Sequence, residues 1–185
     1  MEFSHDELAG VVDLFGALTR AELSRACEEV AFKRGTAFDS PDLFDDAIAA
    51  YRLVAIDPDA AGVDGAVPTA TAADPLLAVG PTAFPTLPDR AEDLPHILEI
   101  EPREVDRTVL EAVAEERFRA DAARAVDDDD HARIAQLVDV SYDLEAWAPV
   151  ELDGVRDRLD DATAEIDAAD ERAGSHAPEV DERTN

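Results

Sequence analysis

The sequence has few of the features that mark secreted or membrane proteins. Cys27 is its single cysteine, so no internal disulfide can form, which favours a reducing compartment. No apolar run approaches the roughly 20 residues that span a bilayer. The first ten residues, MEFSHDELAG, lack the basic and apolar regions of a secretory signal. These absences predict a cytoplasmic protein without membrane contact.

Positive charge is also scarce. The chain has 16 Lys and Arg against 45 Asp and Glu, which gives a net charge of −29, and Lys33 is its only lysine. Self-repulsion of this size destabilises a compact state, and salt relieves it because the Debye length falls to about 3 Å at 1 M. Aromatic residues supply only 5% of the chain, but apolar residues make up 46% and recur periodically. We therefore expect a folded protein whose acidity belongs to its solvated surface.

Three short helices are predicted in the first fifty residues. Ser4 and Thr19 each begin an S/T-x-x-E capping box, which satisfies N–H groups at a helix start, and Gly35 is suited to end the second helix. Residues 39–41 (DSP) combine a cap residue with a first-turn proline and predict the start of a third helix. The inward stripes are predicted to be Leu8, Val11, Val12 and Phe15, then Leu23, Ala26, Cys27 and Val30, then Phe44, Ala47, Ile48 and Tyr51.

A small β-hairpin is predicted after these helices. Residues 53–56 (LVAI) are apolar and predict its first strand, and residues 57–75 predict a long flexible loop. Residues 76–88 (LLAVGPTAFPTLP) carry no charge; the first four predict the partner strand. The prolines that follow exclude regular pairing and predict an extended strap over residues 84–88. The expected fold class is mainly α with a small β-hairpin.

The C-terminal half is predicted to be helical. A long helix is expected from about Pro102 to Val126, with apolar residues four positions apart at Val105, Val109 and Val113. Residues 127–130 (DDDD) break it and place negative charge at the start of the next helix. That helix, from about His131 to Trp147, is apolar around more than half its circumference and is expected to be central. We expect residues 89–167 to pack on the N-terminal domain (residues 4–88), and residues 168–185 to form a disordered tail.

The last helix has apolar residues at a/d spacing. They recur at intervals of three and four: Leu152, Val155, Leu159, Ala162 and Ile166. With Arg156, Arg158 and Glu165 as flanking charges, this spacing is typical of a coiled-coil dimer seam. The same spacing is also typical of a helix that docks onto the two helices before it. Two heptads are too few to establish a coiled coil, so we favour docking and keep the dimer seam as the alternative.

In element order and spacing, residues 4–88 resemble winged-helix domains. The whole chain resembles an uncharacterised family of small acidic haloarchaeal proteins. That likeness is carried by the stretches DELAGVVDLFGALTRAEL, AFKRG, FPTLPDRAEDLPHILEIE and SYDLEAWAPVELDGVRDRL. The resemblances imply a winged-helix-like N-terminal half and adaptation to high salt, but no activity.

A winged-helix domain can bind DNA through its third helix, yet the charges here oppose that role. The outward face of that helix carries three aspartates, whereas DNA affinity depends mainly on Lys and Arg. We therefore predict a protein-interaction module, regulatory in character, that binds an unknown protein or a second copy. A DNA-binding transcriptional regulator is the alternative. The residues expected to contact a partner are Asp42, Asp45, Asp46 and Arg52 on the third helix, and Arg25 and Lys33 on the second.

No group of residues specifies a reaction. The sequence has no G-x-S-x-G motif and no phosphate-binding glycine loop, and carboxylate pairs are uninformative in a chain with 45 acids. His96 is interpreted as a buried hydrogen-bonded side chain or a ligand, and His131 as part of a solvated cap or a cation site. Cys27 is expected to be an inert packing residue, and Tyr142 and Trp147 core anchors. We expect no catalysis, no cofactor and no metal.

Overall fold

The computed structural model describes residues 3–38, 42–58 and 75–174. Within these residues the fold is mainly α with one small sheet, as predicted. No helix among them is both long and apolar enough to cross a membrane. The elements are α1 His5–Phe15, β1 Ala17–Thr19, α2 Arg20–Lys33, α3 Asp42–Ala49, β2 Leu53–Ile56, β3 Leu76–Val79, α4 Leu94–Leu98, α5 Arg107–Asp127, α6 His131–Trp147 and α7 Asp153–Gly174.

The sheet is antiparallel and has the strand order β1-β3-β2. Ala78 in the central strand is paired with Ala17 of β1 and with Val54 of β2. Both hairpin strands have the predicted bounds. Strand β1 was not predicted, because three residues between two helices are too few to show a strand period. Residues 59–74, most of the predicted loop, lie outside the described residues.

Both faces of this sheet are buried. Successive strand residues point to opposite faces, so each strand contributes to two cores. Leu18, Leu53 and Leu77 pack in the core formed with α1 and α2. The alternate positions pack in the core formed with α5, α6 and α7: Ala17, Val54, Ile56, Leu76 and Ala78. The sheet is therefore the middle of three layers, which explains why every strand residue except Thr19 is apolar.

The predicted helix caps are confirmed where the structure describes them. The Ser4 hydroxyl accepts a hydrogen bond from the Glu7 N–H at 3.1 Å, and the Thr19 hydroxyl accepts one from the Glu22 N–H at 3.2 Å. Gly35 follows α2 with a φ of 72°. The predicted start of α3, at residues 39–41, lies outside the described residues.

The strap at residues 84–88 runs along α1. Asp6 holds it, since its carboxylate accepts a hydrogen bond from the Phe84 N–H at 3.1 Å and its carbonyl accepts one from the Thr86 N–H at 2.9 Å. Gly10 allows this approach, because a Cβ there would lie 2.2 Å from the Thr86 carbonyl oxygen. The strap leaves the Phe84 ring exposed.

The predicted core positions are correct in part. Tyr51 is buried, as predicted, but it follows α3 with a φ of 60°, and its ring packs against Phe118 in the other core rather than continuing the α3 stripe. Tyr142 is exposed. The buried face of α5 comprises Leu110, Ala114, Phe118, Ala122 and Ala125, whereas Val105, Val109 and Val113, which the sequence places four positions apart, are only half-buried. The buried set is spaced by four, four, four and three residues, so spacing alone does not choose between the two sets, and packing against the sheet does.

The a/d face of α7 is part of the chain's own core. Leu152, Val155, Leu159 and Ala162 are buried in the core formed with α5 and α6, and Ile166 packs partly against it. This burial favours docking over a dimer seam, because a face inside the core is not free to pair with a second chain. The predicted tail at residue 168 begins inside α7, and residues 175–185 lie outside those described.

An ion pair ties α7 to α6. Arg156 donates hydrogen bonds to Glu145 at 2.8 and 3.1 Å, and the Glu145 carboxylate accepts another from the Leu152 N–H at 2.7 Å. The hydrogen bonds from Arg156 and from Leu152 lower the pKa of Glu145. Arg156, expected as a flanking charge of a dimer seam, thus binds within its own chain.

A second ion pair joins the segment before α5 to the start of α2. The buried Arg103 guanidinium donates to both oxygens of Glu22, at 2.6 and 2.7 Å, and to the Ala17 carbonyl at 3.0 Å. Burial raises the pKa of Glu22. The hydrogen bonds from Arg103 and from the Thr19 N–H lower it by more, so the net pKa is below the ordinary value of 4.5.

The substitution Glu22→Gln is expected to remove an acid-sensitive part of the stability. A carboxyl whose pKa is depressed in the folded state stabilises the fold above its unfolded pKa, and this contribution is lost as pH falls through the folded pKa. Urea unfolding between roughly pH 6 and pH 3 should show a difference between wild type and Glu22→Gln that shrinks toward acid. Glu115→Gln, at the half-exposed pair with Arg119, is the control and should change stability little. A difference that is constant with pH would contradict the assignment.

Candidate protein-interaction surface

The predicted residues of α3 form an exposed acidic face. Asp42, Asp45 and Asp46 are all exposed, and Asp45 pairs with Arg20 of α2. Arg52 does not join them. Its guanidinium lies 3.3 Å from the Asp6 carboxylate and 5.9 Å from the centre of the Phe84 ring, so it belongs to the surface of α1 and the strap.

The two predicted residues of α2 have different surroundings. Lys33 is half-buried and donates a hydrogen bond to the Arg90 carbonyl at 3.1 Å, while the Arg90 guanidinium donates to the Lys33 carbonyl at 2.8 Å. This reciprocal contact fixes Lys33 in place. Arg25 is exposed, and within the described residues it has no hydrogen-bond or ion-pair partner. Arg25 alone of this pair is therefore free to bind another molecule.

Arg25 lies on a groove between α2 and α4, here called the α2/α4 groove. The groove is an open depression with a volume of about 440 Å³. Its lining combines apolar and charged side chains from the two helices: Arg25, Glu28, Glu29, Phe32, Ile97 and Leu98. Phe32 of α2 is 78% exposed, and Ile97 of α4 is also exposed, so each helix brings an apolar side chain into contact with water here.

Helical periodicity sets the orientation of α2. Its buried residues are Leu23, Ala26, Cys27, Val30 and Ala31, which all face the N-terminal core. With 3.6 residues per turn, the opposite side of the helix carries Ala21, Arg25, Glu28 and Phe32, and all four are exposed. Phe32 therefore projects outward because its neighbours Val30 and Ala31 are held inward.

The short helix α4 forms the other wall of the groove. Leu94 is buried and anchors the helix in the N-terminal core, and Leu98 packs partly against the same core. Glu99 ends the helix with a left-handed φ of 52°. Ile97, between these two anchored leucines, faces outward into the groove.

The exposure of Phe32 has an energetic cost. Burying a phenylalanine side chain contributes roughly 1.5–3 kcal/mol relative to leaving it in water. Single exposed apolar residues are common on protein surfaces, but adjacent ones lining a concavity mark interaction sites. Glu28 is partly satisfied within the chain, since it accepts a hydrogen bond from the Ser24 hydroxyl at 3.0 Å. The groove thus offers apolar contacts flanked by one free cation and by carboxylates.

Of the residues that line the groove, Arg25 was predicted from the sequence, whereas the apolar ones were not. Phe32 carried a usable signal, because a bulky aromatic residue on the charged side of an amphipathic helix is exposed if the helix packs as predicted. Ile97 and Leu98 carried none, since α4 has only five residues and shows no helical period.

The residues considered for chemistry do not form a reactive cluster in the described part of the chain. Cys27 is fully buried, and burial raises the pKa of its thiol, as expected of a packing residue. His96 is exposed, so its interpretation as a buried side chain is wrong, and His131 is half-buried at the start of α6. Among the described residues no three His, Cys, Asp or Glu side chains are placed to hold a metal ion.

Comparison with known proteins gives a family but no activity. No curated protein and no solved structure matches the chain. One family model matches residues 6–164, from α1 to α7, and so includes all three layers and both walls of the α2/α4 groove. The chain therefore belongs to DUF7109, a family of unknown function.

Proposed function

We propose that this protein is a non-catalytic protein-interaction module that binds its partner in the α2/α4 groove. The observation that carries the proposal is the exposure of Phe32 and Ile97 in the lining of one concave surface. Aromatic anchors of this kind contribute most of the binding energy in many protein interfaces. The free guanidinium of Arg25 and the nearby carboxylates would supply orientation and specificity.

The order of elements supports a winged-helix architecture for the N-terminal half. Three helices precede a hairpin, and the second hairpin strand also pairs with the short strand between α1 and α2. In a winged-helix domain that binds DNA, the third helix is the one that contacts the DNA, and here that helix is α3. Its exposed side carries Asp42, Asp45 and Asp46, which favours protein over nucleic acid as the ligand.

The charge of the chain supports a salt-rich cytoplasm as the place where it acts. A net charge of −29 on 185 residues is strongly self-repulsive at low ionic strength, and concentrated salt screens that repulsion. Binding through an apolar anchor suits such conditions, because salt weakens exposed ion pairs and leaves apolar contacts intact.

Capture of partners from lysate at the ionic strength of the source cells tests the proposal. Phe32→Ser is expected to reduce recovery of specifically bound protein by about tenfold or more, the effect of losing a central aromatic anchor. Phe84→Ser is the matched control, because Phe84 is 72% exposed but lies on the strap, outside the groove. It should capture the same protein as wild type.

Two results would contradict the proposed function. The first is equal capture by wild type and Phe32→Ser. The second is retention of wild type on duplex DNA that is lost when Arg25 is replaced with glutamate, which would favour the DNA-binding alternative. In that case Arg25 would be a phosphate contact.

A further inference from the structure

The exposed side of α2 has a regular composition. Ala21, Arg25, Glu28 and Phe32 are spaced by four, three and four residues and form one narrow stripe opposite the buried face. The two charged residues at its centre have opposite sign. In a chain of net charge −29, the stripe itself sums to zero, and Glu29 beside it in the groove adds one negative charge. A surface of such low charge is where two copies of so acidic a chain can approach with the least repulsion.

The stripe is also complementary to itself. When two identical helices pack antiparallel about a twofold axis, residue i of one contacts residue j of the other and the reverse. If the axis passes between positions 26 and 27, Arg25 faces Glu28 of the second copy, and Phe32 faces Ala21 of the second copy. Each contact occurs twice. The pairing joins opposite charges at the centre and places a large ring over a small side chain at each end.

We infer that the α2/α4 groove is occupied by α2 of a second copy of this chain, packed antiparallel. This inference rests on the proposed function and specifies the partner. The groove provides the space beside the stripe, since α4 sets Ile97 and Leu98 next to Phe32. Burial of Phe32 between Ala21 of the second copy and Ile97 of its own chain removes the exposed ring from water, and the pair at the centre gives Arg25 a partner.

The expected dimer is reversible. One helix and its neighbour give an interface at the small end of the range for specific complexes, so we expect a dissociation constant of about 10–100 µM. Each copy carries a charge of −29, so salt should strengthen association by screening the repulsion between the two surfaces.

Sedimentation equilibrium of charge-reversed variants tests the pairing. Arg25→Glu and Glu28→Arg each place two like-charged pairs across the axis. Each variant alone should therefore have a dissociation constant at least about tenfold higher than that of wild type. An equimolar mixture of the two variants should restore association, because both central pairs in the mixed dimer again join opposite charges. The measurement uses the lowest KCl concentration at which all chains keep their helical circular dichroism.

The outcomes separate this inference from the proposed function. Wild type that remains monomeric up to about 1 mM, or a mixture that associates no better than its components, overturns the antiparallel dimer. Phe32-dependent capture of a different protein in either case would leave the groove as an interaction site with another partner. Phe84→Ser should associate like wild type and Phe32→Ser should not, and equal association of both would also overturn the inference.

Discussion

Replacing Phe118 with alanine is expected to lower the free energy of unfolding by about 3–5 kcal/mol. Phe118 lies on α5 and is fully buried in the core between the sheet and the C-terminal helices. Its ring contacts the Tyr51 ring edge-on, with the centroids 6.2 Å apart. The cavity cannot collapse easily, because the sheet on one side of it is held by a second core on its other face.

Chemical and thermal unfolding measure this loss. For a chain of this size, the expected change corresponds to a fall of roughly 10 °C in the midpoint of thermal unfolding. Val113→Ala on the same helix is the control and should lower the free energy of unfolding by about 1 kcal/mol, because Val113 is only half-buried. Equal losses of stability in the two variants would mean that the side of α5 with Val113 is packed as tightly as the side with Phe118. That result would contradict the observed burial.

Replacing Asp121 with alanine is expected to lower the free energy of unfolding by about 2–4 kcal/mol, slightly less than the loss caused by breaking a fully buried ion pair. The Asp121 side chain is 11% exposed and lies among three arginines. Its carboxylate accepts hydrogen bonds from the Tyr51 hydroxyl at 2.7 Å and from the Arg133 guanidinium at 2.9 Å, and Arg117 Nε lies 3.6 Å away. Arg124 also pairs with it. Removing this carboxylate leaves several cations without their counter-ion.

Asp121 and the side chains that contact it form a cluster, and the position of this cluster explains the expected size of the loss in stability. Asp121 is on α5, Arg133 is on α6, and Tyr51 is in the turn between α3 and β2. Arg133 also donates a hydrogen bond to the Ala49 carbonyl at the end of α3, at 2.9 Å. Burial and the hydrogen bond to Asp121 raise the pKa of Tyr51, so the hydroxyl remains a neutral donor. The cluster therefore connects the N-terminal helices to the C-terminal layer.

Two controls distinguish the cluster from a surface ion pair. Tyr51→Phe removes one hydrogen bond and should cost about 1 kcal/mol. Arg124→Ala should cost less than about 0.5 kcal/mol, because that side chain is 69% exposed. In a double-mutant cycle, Tyr51→Phe and Asp121→Ala should couple by about 1 kcal/mol. An Asp121→Ala effect no larger than that of Arg124→Ala would contradict the assignment.

Features set by neighbouring residues could be predicted well. The caps at Ser4 and Thr19 depend on residues three positions away, and β2 and β3 follow from short apolar runs bounded by turn residues. The outward direction of Arg25 followed from the period of α2. The rest of the groove could not be predicted in this way, because α4 is too short to have a period and its contact with α2 is distant in sequence.

The sequence by itself determined the helices other than α4, the hairpin strands and the acidic surface, since caps, periods and charge depend only on residue type and local spacing. The tertiary structure decided which of two apolar faces of α5 is buried, where the ring of Tyr51 lies, and that the a/d face of α7 packs inside its own chain. Those outcomes depend on the shapes of the side chains and on which apolar surfaces, far apart in the chain, compete for burial in the same core. The same competition leaves Phe32 in water, because the inner side of α2 already fills the N-terminal core.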